Sequence, residues 1–407
     1  MLKLATPAVV LASVLCAAGA VPASEYAERR QSIRKGLDGA VLVMCGNTTG
    51  DVDELRSGFH QEPNFYYLTG WKQPGAILLL TREAETFFLP KRDAVVERYT
   101  GAKVAAGDAD ARARTGFERV FPADQFEREF KRAAANRARV LTIPGRCRDR
   151  IAKLASNLET GDARQMLLKA RAVKSPAEIE MIRAAMAVTM DAHRAAWRRI
   201  APGLHEYQVA ASMLFEMHDR NCTPAYAPIV ASGANATVLH YSENSRRIEN
   251  GDLVLMDVAA ACGEYASDVT RTVPANGRFT PRQRELYLAV LGAERAAIAA
   301  VKPGATMQSI NKAARDYLEA HGKLGKYLTH GISHGIGLEA HDAPSHLSSD
   351  PFVPGMVITI EPGVYIPEER IGIRIEDTVL VTSTGVEVLS AALPTAPDEI
   401  EKAIGRK

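Results

Sequence analysis

The sequence predicts an α/β amino-terminal domain followed by an α+β domain that contains a helix-helix-hairpin unit twice. Residues 25 to about 172 alternate short apolar runs with helical patterns, which is typical of an α/β domain with a mixed sheet. From about residue 173, one order of elements occurs twice: a helix, a Pro-Gly break, a second helix and a strand-rich region. The breaks at 202–203 and 303–304 lie 101 residues apart, and so do His240 and His341. This weak internal repeat indicates two similar units around a pseudo-twofold axis, with helices outside and a site where the hairpins meet.

Local patterns predict the elements of the first domain. Apolar runs at residues 40–44, 76–80 and 86–89 predict strands, whereas residues 126–135 and 163–170 have helical patterns. Residues 64–71 carry four aromatic side chains. We interpret these aromatics as core packing rather than as a surface that faces a substrate.

Two capping boxes mark helix starts in the second domain. Ser175 and Glu178 form the first box, and Pro176 at the first helical position predicts a helix over 176–200. Thr280 and Gln283 form the second box. Further helices are expected over about 205–218 and 307–321, each after a Pro-Gly break. We therefore place the amino-terminal domain at residues 24–172 and the duplicated domain at 173–407.

Composition excludes several classes of protein. The 407 residues are 46% hydrophobic and 24% charged, a balance that excludes disordered, collagen-like and coiled-coil chains. The 50 basic and 48 acidic residues leave a formal net charge of +2, so no charge surplus is present to hold a polyphosphate backbone. Nucleic acid is therefore not expected as a partner. The five cysteines include no C-x-x-C pair, so neither a zinc ribbon nor a dithiol redox site is predicted.

The first residues have the pattern of a secretory signal. Lys3 precedes an apolar run from residue 4 to about 19, and small residues allow cleavage after Ala20 or Ala23. The run is shorter than the ~20 residues needed to span a bilayer. We expect a signal peptide at residues 1–23 and an exported protein, periplasmic or secreted. Lipid attachment at Cys16 and a helix retained in the membrane or buried are the alternatives.

Cleavage of this segment would leave four cysteines. They could pair in the export compartment, but their spacing does not define which cysteines are joined. The four are Cys45, Cys147, Cys222 and Cys262.

Four acidic residues interrupt apolar strands in the second domain. Asp257 and Asp268 flank a predicted two-residue turn at Cys262-Gly263, which would place the two aspartates opposite each other on one face. Glu361 and Glu376 flank a connection centred on residues 368–369 and could face each other in the same way. Four buried carboxylates would be costly unless cations compensate their charge. The pattern therefore predicts a metal centre.

Histidines complete the predicted centre. His330, His334 and His341 lie in a glycine-rich run that favours a loop presenting imidazoles. His321 ends a helix and is expected to interact with its carboxyl terminus, and His346 is unassigned. Four carboxylates and one or two imidazoles match two divalent ions bridged by hydroxide; Mn²⁺ is favoured, with Co²⁺, Fe²⁺ or Zn²⁺ as alternatives. Two such ions generate a hydroxide nucleophile at neutral pH and polarise the carbonyl of the bond to be cleaved. Histidines outside the metal ligands can donate hydrogen bonds to the oxyanion that develops on this carbonyl.

These residues occur in recognisable motifs. The motifs LVLMDVA, YASDVTRT, HGISHGIGLEAHD, ITIEPGVY and GIRIED resemble the pita-bread metallopeptidases, over about residues 172–390. The resemblance implies that Asp257 binds one ion, that His334 and Glu361 bind the other, and that Asp268 and Glu376 bridge both. It also implies that Glu361 is the general acid and base.

The resemblance assigns further roles around the metal ligands. His240 would steady the reacting amide, His341 would lie near the scissile bond, and His330, Arg374 and Tyr365 would line the site. Residues 239–244, 64–70, 90–93 and 99–101 resemble the aminopeptidase P branch of this family.

This branch implies an activity: release of the first residue from peptides whose second residue is proline. The alternatives are a dipeptidase with the same site and a binding protein without activity. The resemblance also implies a dimer or tetramer formed through the amino-terminal domain.

Overall fold

The fold is described from a computed structural model of the 407-residue chain, over residues 20–48, 58–345 and 348–404. The predicted signal peptide lies almost entirely outside the described residues, and so does His346. Helix α1 (Ala23–Lys35) begins directly after Pro22. Val21 and Tyr26 are buried against the core of the second domain.

The amino-terminal domain is built on a six-stranded mixed sheet, as the sequence predicts. Its strand order is β4-β3-β2-β1-β5-β6, with antiparallel pairs at β1-β2 and β2-β3 and parallel pairs elsewhere. The strands are β1 (Val41–Cys45), β2 (Ile77–Leu80), β3 (Glu85–Leu89), β4 (Val120–Pro122), β5 (Arg139–Thr142) and β6 (Glu159–Asp162). The helices after α1 are α2 (Pro63–Thr69), α3 (Ala94–Thr100), α4 (Ala111–Thr115), α5 (Phe126–Ala134), α6 (Arg146–Leu154) and α7 (Arg164–Ala172).

Most of the aromatic run at 64–71 lies in helix α2, and its aromatic side chains pack in the core. Phe65 is fully buried, and Tyr66, Tyr67 and Trp71 are each less than a tenth exposed. The interpretation of this run as core is confirmed.

The second domain shows the expected repeat of helix pairs. Helix α8 (Pro176–Arg199) starts at the predicted capping box and pairs with α9 (Glu206–Asp219). Helix α10 (Pro281–Ala300) starts at the second capping box and pairs with α11 (Met307–Ala320). Helix α12 (Pro397–Ile404) is the final described element.

The strands of this domain form small sheets between the helix pairs. Their orders are β11-β10-β7, β12-β9-β8, β13-β16-β17 and β14-β15. They are β7 (Thr223–Pro224), β8 (Ile229–Ser232), β9 (Leu253–Val258), β10 (Ala260–Cys262), β11 (Tyr265–Ala266), β12 (Val269–Pro274), β13 (Val357–Ile360), β14 (Gly363–Ile366), β15 (Ile371–Arg374), β16 (Asp377–Val381) and β17 (Val386–Val388).

The predicted register of the first hairpin is wrong by two residues. Asp257 pairs with Thr270 rather than with Asp268, because the two-residue turn consists of Gly263 and Glu264. Both turn residues have positive φ (58° and 76°), as a type I′ turn requires. A shift of two residues keeps every side chain on its face, so the two aspartates still lie on the same side.

The predicted register of the second hairpin is confirmed. Gly363 pairs with Arg374 on β14 and β15, and Ile360 pairs with Asp377 on β13 and β16. These ladders share one register, and Glu361 and Glu376 lie in the gap between them. The chain turns through a single 3₁₀ turn at Pro367–Glu369.

Two disulfides join the four cysteines that follow the predicted signal. Cys45 on β1 is bonded to Cys147 on α6, and Cys222 after α9 is bonded to Cys262 on β10. Within the described ranges, no helix has both the length and the apolar character needed to cross a membrane.

Candidate metal centre

The acidic residues of the two hairpins converge with one histidine in the second domain. Single ligand atoms of Asp268, His334 and Glu376 all lie within 4.8 Å of one another, and all three residues are buried. The Nε2 atom of His334 is 3.8 Å from Oδ2 of Asp268 and 3.4 Å from Oε1 of Glu361. The hairpins thus bring carboxylates from both halves of the repeat to one place.

The histidine is held by the strand that precedes Glu361. The backbone N–H of Thr359 donates to the carbonyl of His334 (2.9 Å), and the N–H of Glu361 donates to the carbonyl of Ile332 (2.9 Å). A Cβ at Gly335 would lie 2.3 Å from the carbonyl carbon of Ala343, so only glycine permits this close approach.

The hydrogen bonds of His334 fix which ring nitrogen is free. Its Nδ1 lies 3.0 Å from the carbonyl oxygen of Gly335, which can only accept, so Nδ1 carries the proton. Nε2 therefore presents its lone pair toward the oxygens of Asp268 and Glu361. Lone pairs that face one another at this distance need a proton or a metal ion between them, and histidines that bind metals present a free nitrogen in this way.

The ionisation of the buried acids supports the same conclusion. Burial, followed by repulsion from a neighbouring carboxylate, raises the pKa of Asp268, Glu361 and Glu376 well above the ordinary value. Burial lowers the pKa of His334 to about 4, which keeps the imidazole neutral. A divalent cation bound among these oxygens would offset both the burial and the repulsion, and the neutral imidazole leaves Nε2 of His334 able to bind it.

Asp257 lies at the edge of this cluster and has polar partners of its own. Its Oδ2 accepts from Nη2 of Arg374 at 2.5 Å, and its Oδ1 accepts from the hydroxyl of Tyr226. The same hydroxyl lies 2.5 Å from Oδ1 of Asp268. Tyr226 therefore links the two aspartates of the first hairpin.

Arg374 and His330 form a chain of hydrogen bonds beside the acids. Arg374 donates to the hydroxyl of Tyr365 at 2.9 Å and to Oγ1 of Thr270 at 3.2 Å. Nδ1 of His330 is 2.9 Å from the carbonyl of Gly331, so Nε2 accepts from the hydroxyl of Tyr365 at 2.9 Å. Burial lowers the pKa of His330 to about 4, so this imidazole is a neutral acceptor.

Comparison with known proteins agrees with this geometry. Residues 180–383 match the model of metallopeptidase family M24, and residues 26–142 match that of the aminopeptidase P amino-terminal domain. A Xaa-Pro aminopeptidase of Haemophilus influenzae is 32% identical over 420 residues, which cover 94% of this chain and 97% of the relative. The chain belongs to metallopeptidase family M24.

Solved structures place this M24 peptidase in the aminopeptidase P branch of the family. Aminopeptidase PepP of Pseudomonas aeruginosa is 30% identical with a TM-score of 0.86, and the match covers 95% of this chain and 98% of that one. Escherichia coli aminopeptidase P with the inhibitor Pro-Leu is 29% identical with a TM-score of 0.84, covering 95% and 99%. Zinc-substituted aminopeptidase P of the same organism has been solved in complex with product. Both domains of the M24 peptidase are included in these matches.

Two further histidines that the sequence predicts for the site of this M24 peptidase lie at the protein surface. His240 and His341 are both exposed, and their ring centroids are 6.5 Å apart. The ring of His341 also contacts that of His334, with centroids 4.3 Å apart. His341 thus lies between the exposed His240 and the buried His334.

The loop that carries His341 is fixed by an ionic cluster around the buried Arg171 at the domain junction. Arg171 on α7 pairs with Asp342 at 3.0 Å and with Glu339 at 2.7 Å, and it donates to Oδ1 of Asn64 on α2 at 2.8 Å. The ammonium group of Lys174 donates to the carbonyls of Arg171 and Ala343, both at 2.8 Å. The loop is thus attached to both domains.

Sequence reasoning missed three residues that support the site. Tyr226 lies outside every quoted motif, in a segment with no distinctive pattern. Glu206 is fully buried and accepts hydrogen bonds from Ser232 and Tyr241, in the segment that carries His240. In the sequence, this glutamate is indistinguishable from any acidic residue in the first turn of a helix. Arg271 is fully buried and binds the backbone carbonyl of Glu376 at 2.6 Å.

Proposed function

We propose that this M24 peptidase hydrolyses the bond between the first residue and proline at the amino terminus of peptides, using two divalent ions. The observation that carries the proposal is the convergence of the acids of both hairpins on the free Nε2 of His334. Relatives named Xaa-Pro aminopeptidase that match along nearly the whole chain support the choice of substrate. The tertiary amide of an X-Pro bond has restricted geometry, which favours a dedicated peptidase.

The residues present would hold the two ions in a shared set. Asp257 would bind one ion, His334 and Glu361 the other, and Asp268 and Glu376 would bridge both. When bound, the ions would supply Lewis-acid polarisation of the scissile carbonyl and a water of lowered pKa, which yields the hydroxide nucleophile. Mn²⁺ suits the oxygen-rich ligands, and Co²⁺, Fe²⁺ and Zn²⁺ are alternatives.

The protein's own groups would position the peptide and move protons. Glu361 would accept the proton of the attacking water and deliver it to the proline nitrogen as the bond breaks, because its carboxylate is only 17% exposed and faces the site. The exposed His240 and His341 would donate hydrogen bonds to the peptide backbone. Arg374 and His330 would hold Tyr365 in place through the bonds described above.

The decisive experiment is metal reconstitution with matched peptides. Metal-free protein is loaded with Mn²⁺, Co²⁺ or Zn²⁺ and assayed with Xaa-Pro-Xaa tripeptides, Xaa-Pro dipeptides and a tripeptide with alanine in place of proline. We expect cleavage of the proline tripeptide only. Failure to bind any divalent ion would reject the proposal.

A dipeptidase restricted to Xaa-Pro is the second candidate. A Xaa-Pro dipeptidase of Pyrococcus horikoshii is 33% identical over 339 residues, which cover 81% of this chain and 91% of the relative. Rapid cleavage of the dipeptide with none of the tripeptide would favour this candidate.

We also propose that the protein is exported to the periplasm or secreted. The signal pattern at residues 1–23 supports this, and so does the pairing of all four remaining cysteines, since disulfides persist in oxidising compartments. Intact mass of protein from the native host should show loss of the segment that ends at Ala20 or Ala23. A chain that retains Met1 in the cytosol would contradict export.

A dimer or tetramer formed through the amino-terminal domain is a further proposal. Helix α3 has no buried residue, and its Val95, Val96 and Tyr99 are 62%, 44% and 86% exposed. Such an apolar patch is typical of a contact surface. Light scattering should give a mass of two or four chains, and a monomer at assay concentration would reject the proposal.

A further inference from the structure

The Cys222–Cys262 disulfide lies close to the candidate metal centre along the chain. It joins the end of α9 to strand β10, in the hairpin whose strands carry Asp257 and lead to Asp268. Only three residues separate Cys222 from Tyr226, whose hydroxyl contacts both aspartates. The disulfide thus joins the segment that supplies the tyrosine to the hairpin that supplies the acids.

Apart from the bonds of the tyrosine hydroxyl, the segment from residue 223 to 228, which we name the Tyr226 segment, is held by a two-residue ladder, one backbone bond and the side chain of Asn244, which donates to the carbonyl of Pro228 at 2.8 Å. None of these six residues, all of them described, is buried, whereas Cys222 is 5% exposed. Strand β7 pairs with β10 through two residues, and the N–H of Ala225 donates to the carbonyl of Ala259 at 2.9 Å. A ladder of only two residue pairs has few hydrogen bonds to hold it closed, so local opening is easier here than in the longer strands.

We propose that the Cys222–Cys262 disulfide is a positioning element of the metal centre. It holds the Tyr226 segment against the first hairpin, so that the tyrosine hydroxyl keeps Asp257 and Asp268 oriented for metal binding. Partners that orient metal ligands in this way typically change metal affinity by about 10- to 100-fold when they are removed. The inference rests on the proposed metal site and adds that the site is complete only in the oxidised protein.

The other disulfide is a matched control. Cys45–Cys147 also closes a long loop, with a sequence separation of 102 against 40 for Cys222–Cys262. It joins β1 to α6 in the amino-terminal domain and touches none of the acids. Both disulfides should stabilise the fold, but only one should affect metal binding.

The test compares Mn²⁺ binding to metal-free protein by calorimetric titration. We expect C222A/C262A to raise the dissociation constant at least tenfold, while C45A/C147A changes it less than about twofold. Tyr226→Phe should raise the dissociation constant by a similar factor. Because both changes act through one hydroxyl, adding C222A/C262A to Tyr226→Phe should change the dissociation constant further by less than about twofold.

A second measurement needs no metal. Hydrogen exchange at the amide of Ala225 should become faster in C222A/C262A and stay unchanged in C45A/C147A. Should C222A/C262A not fold, phosphine reduction of folded C45A/C147A, which retains Cys222–Cys262 but not Cys45–Cys147, tests the same point, because the remaining disulfide borders a cavity of about 430 Å³.

The outcomes separate this inference from the proposed function. Wild-type protein that binds no Mn²⁺ would reject the metal site itself. Wild-type binding with equal losses in both disulfide variants, or with effects of Tyr226→Phe and C222A/C262A that multiply, would overturn the positioning role.

Discussion

Replacing Arg271 with methionine tests how the two hairpins are joined beneath the acids. Its side chain is fully buried, and Nη2 pairs with Asp377 at 2.7 Å. The same guanidinium donates to the carbonyl of Glu376 at 2.6 Å and to three further carbonyls. Those three belong to Thr270, Leu393 and Pro394.

The expected loss of stability follows from these partners. Removing one member of a buried ion pair costs about 3–5 kcal/mol, because the other charge stays buried without a partner. Carbonyls that lose their donor add about 1 kcal/mol each where no other donor replaces the arginine. Arg271→Met should therefore lower the free energy of unfolding by roughly 5 kcal/mol or more.

Urea unfolding of metal-free protein, followed by circular dichroism, measures this loss. Arg282→Met is the matched control, since Arg282 binds Glu369 and Glu285 but is 43% exposed. Exposed pairs contribute about 1 kcal/mol or less. If the two variants lose similar stability, or if Arg271→Met loses less than about 2 kcal/mol, the buried network does not have the role described.

Three other predictions test acid stability, catalysis and packing. Burial lowers the pKa of His193 to about 3, whereas the same imidazole in the unfolded chain has a pKa near 6.5. The unfolded chain therefore binds more protons between these values. The free energy of unfolding should be unaffected by His193 above about pH 6.5 and should fall by about 1.4 kcal/mol per pH unit from there down to about pH 3. His193→Gln should flatten this slope in urea unfolding series. Glu361→Gln should lower kcat at least about 100-fold with an unchanged circular dichroism spectrum, because the proton acceptor is lost. Gly372→Ala should lower both activity and melting temperature, because its Cβ would lie 1.9 Å from the carbonyl oxygen of Ala236 and would displace the strand that ends at Arg374.

Contrary outcomes for these three variants are equally specific. An acid slope that is the same in His193→Gln and wild type would show that other groups cause it. Turnover of Glu361→Gln within tenfold of wild type would exclude its role in proton transfer. A melting temperature of Gly372→Ala equal to that of wild type would show that strand β15 can shift freely.

The two hairpins show what a sequence can and cannot specify. The register of the second hairpin could be predicted because the polar connection at 368–369 marks the centre of that hairpin. The first register was misplaced because the turn includes Glu264 with φ of 76°, a conformation that is uncommon for glutamate and carries no sequence signal. Since the error is an even number of residues, the prediction that Asp257 and Asp268 share a face did not depend on it.

Long-range partners could not be predicted in the same way. Tyr226 contacts the acids, and Glu206 supports the segment that carries His240, only because distant parts of the chain fold together. Neither residue stands in a periodic pattern that reveals its neighbours. The acids and glycine-rich histidines were detectable because burying charge without compensation is costly, so their presence in apolar strands itself indicates a site.

The ionic cluster around Arg171 has a consequence for protein engineering. A shortened catalytic chain that starts near residue 173 would lack both Arg171 and Asn64, leaving Asp342 without its guanidinium partner. The loop that carries His341 would then lie in a different electrostatic environment, even with every proposed metal ligand in place. Chimaeras that exchange domains between relatives should therefore transfer α7 together with the loop that carries His341.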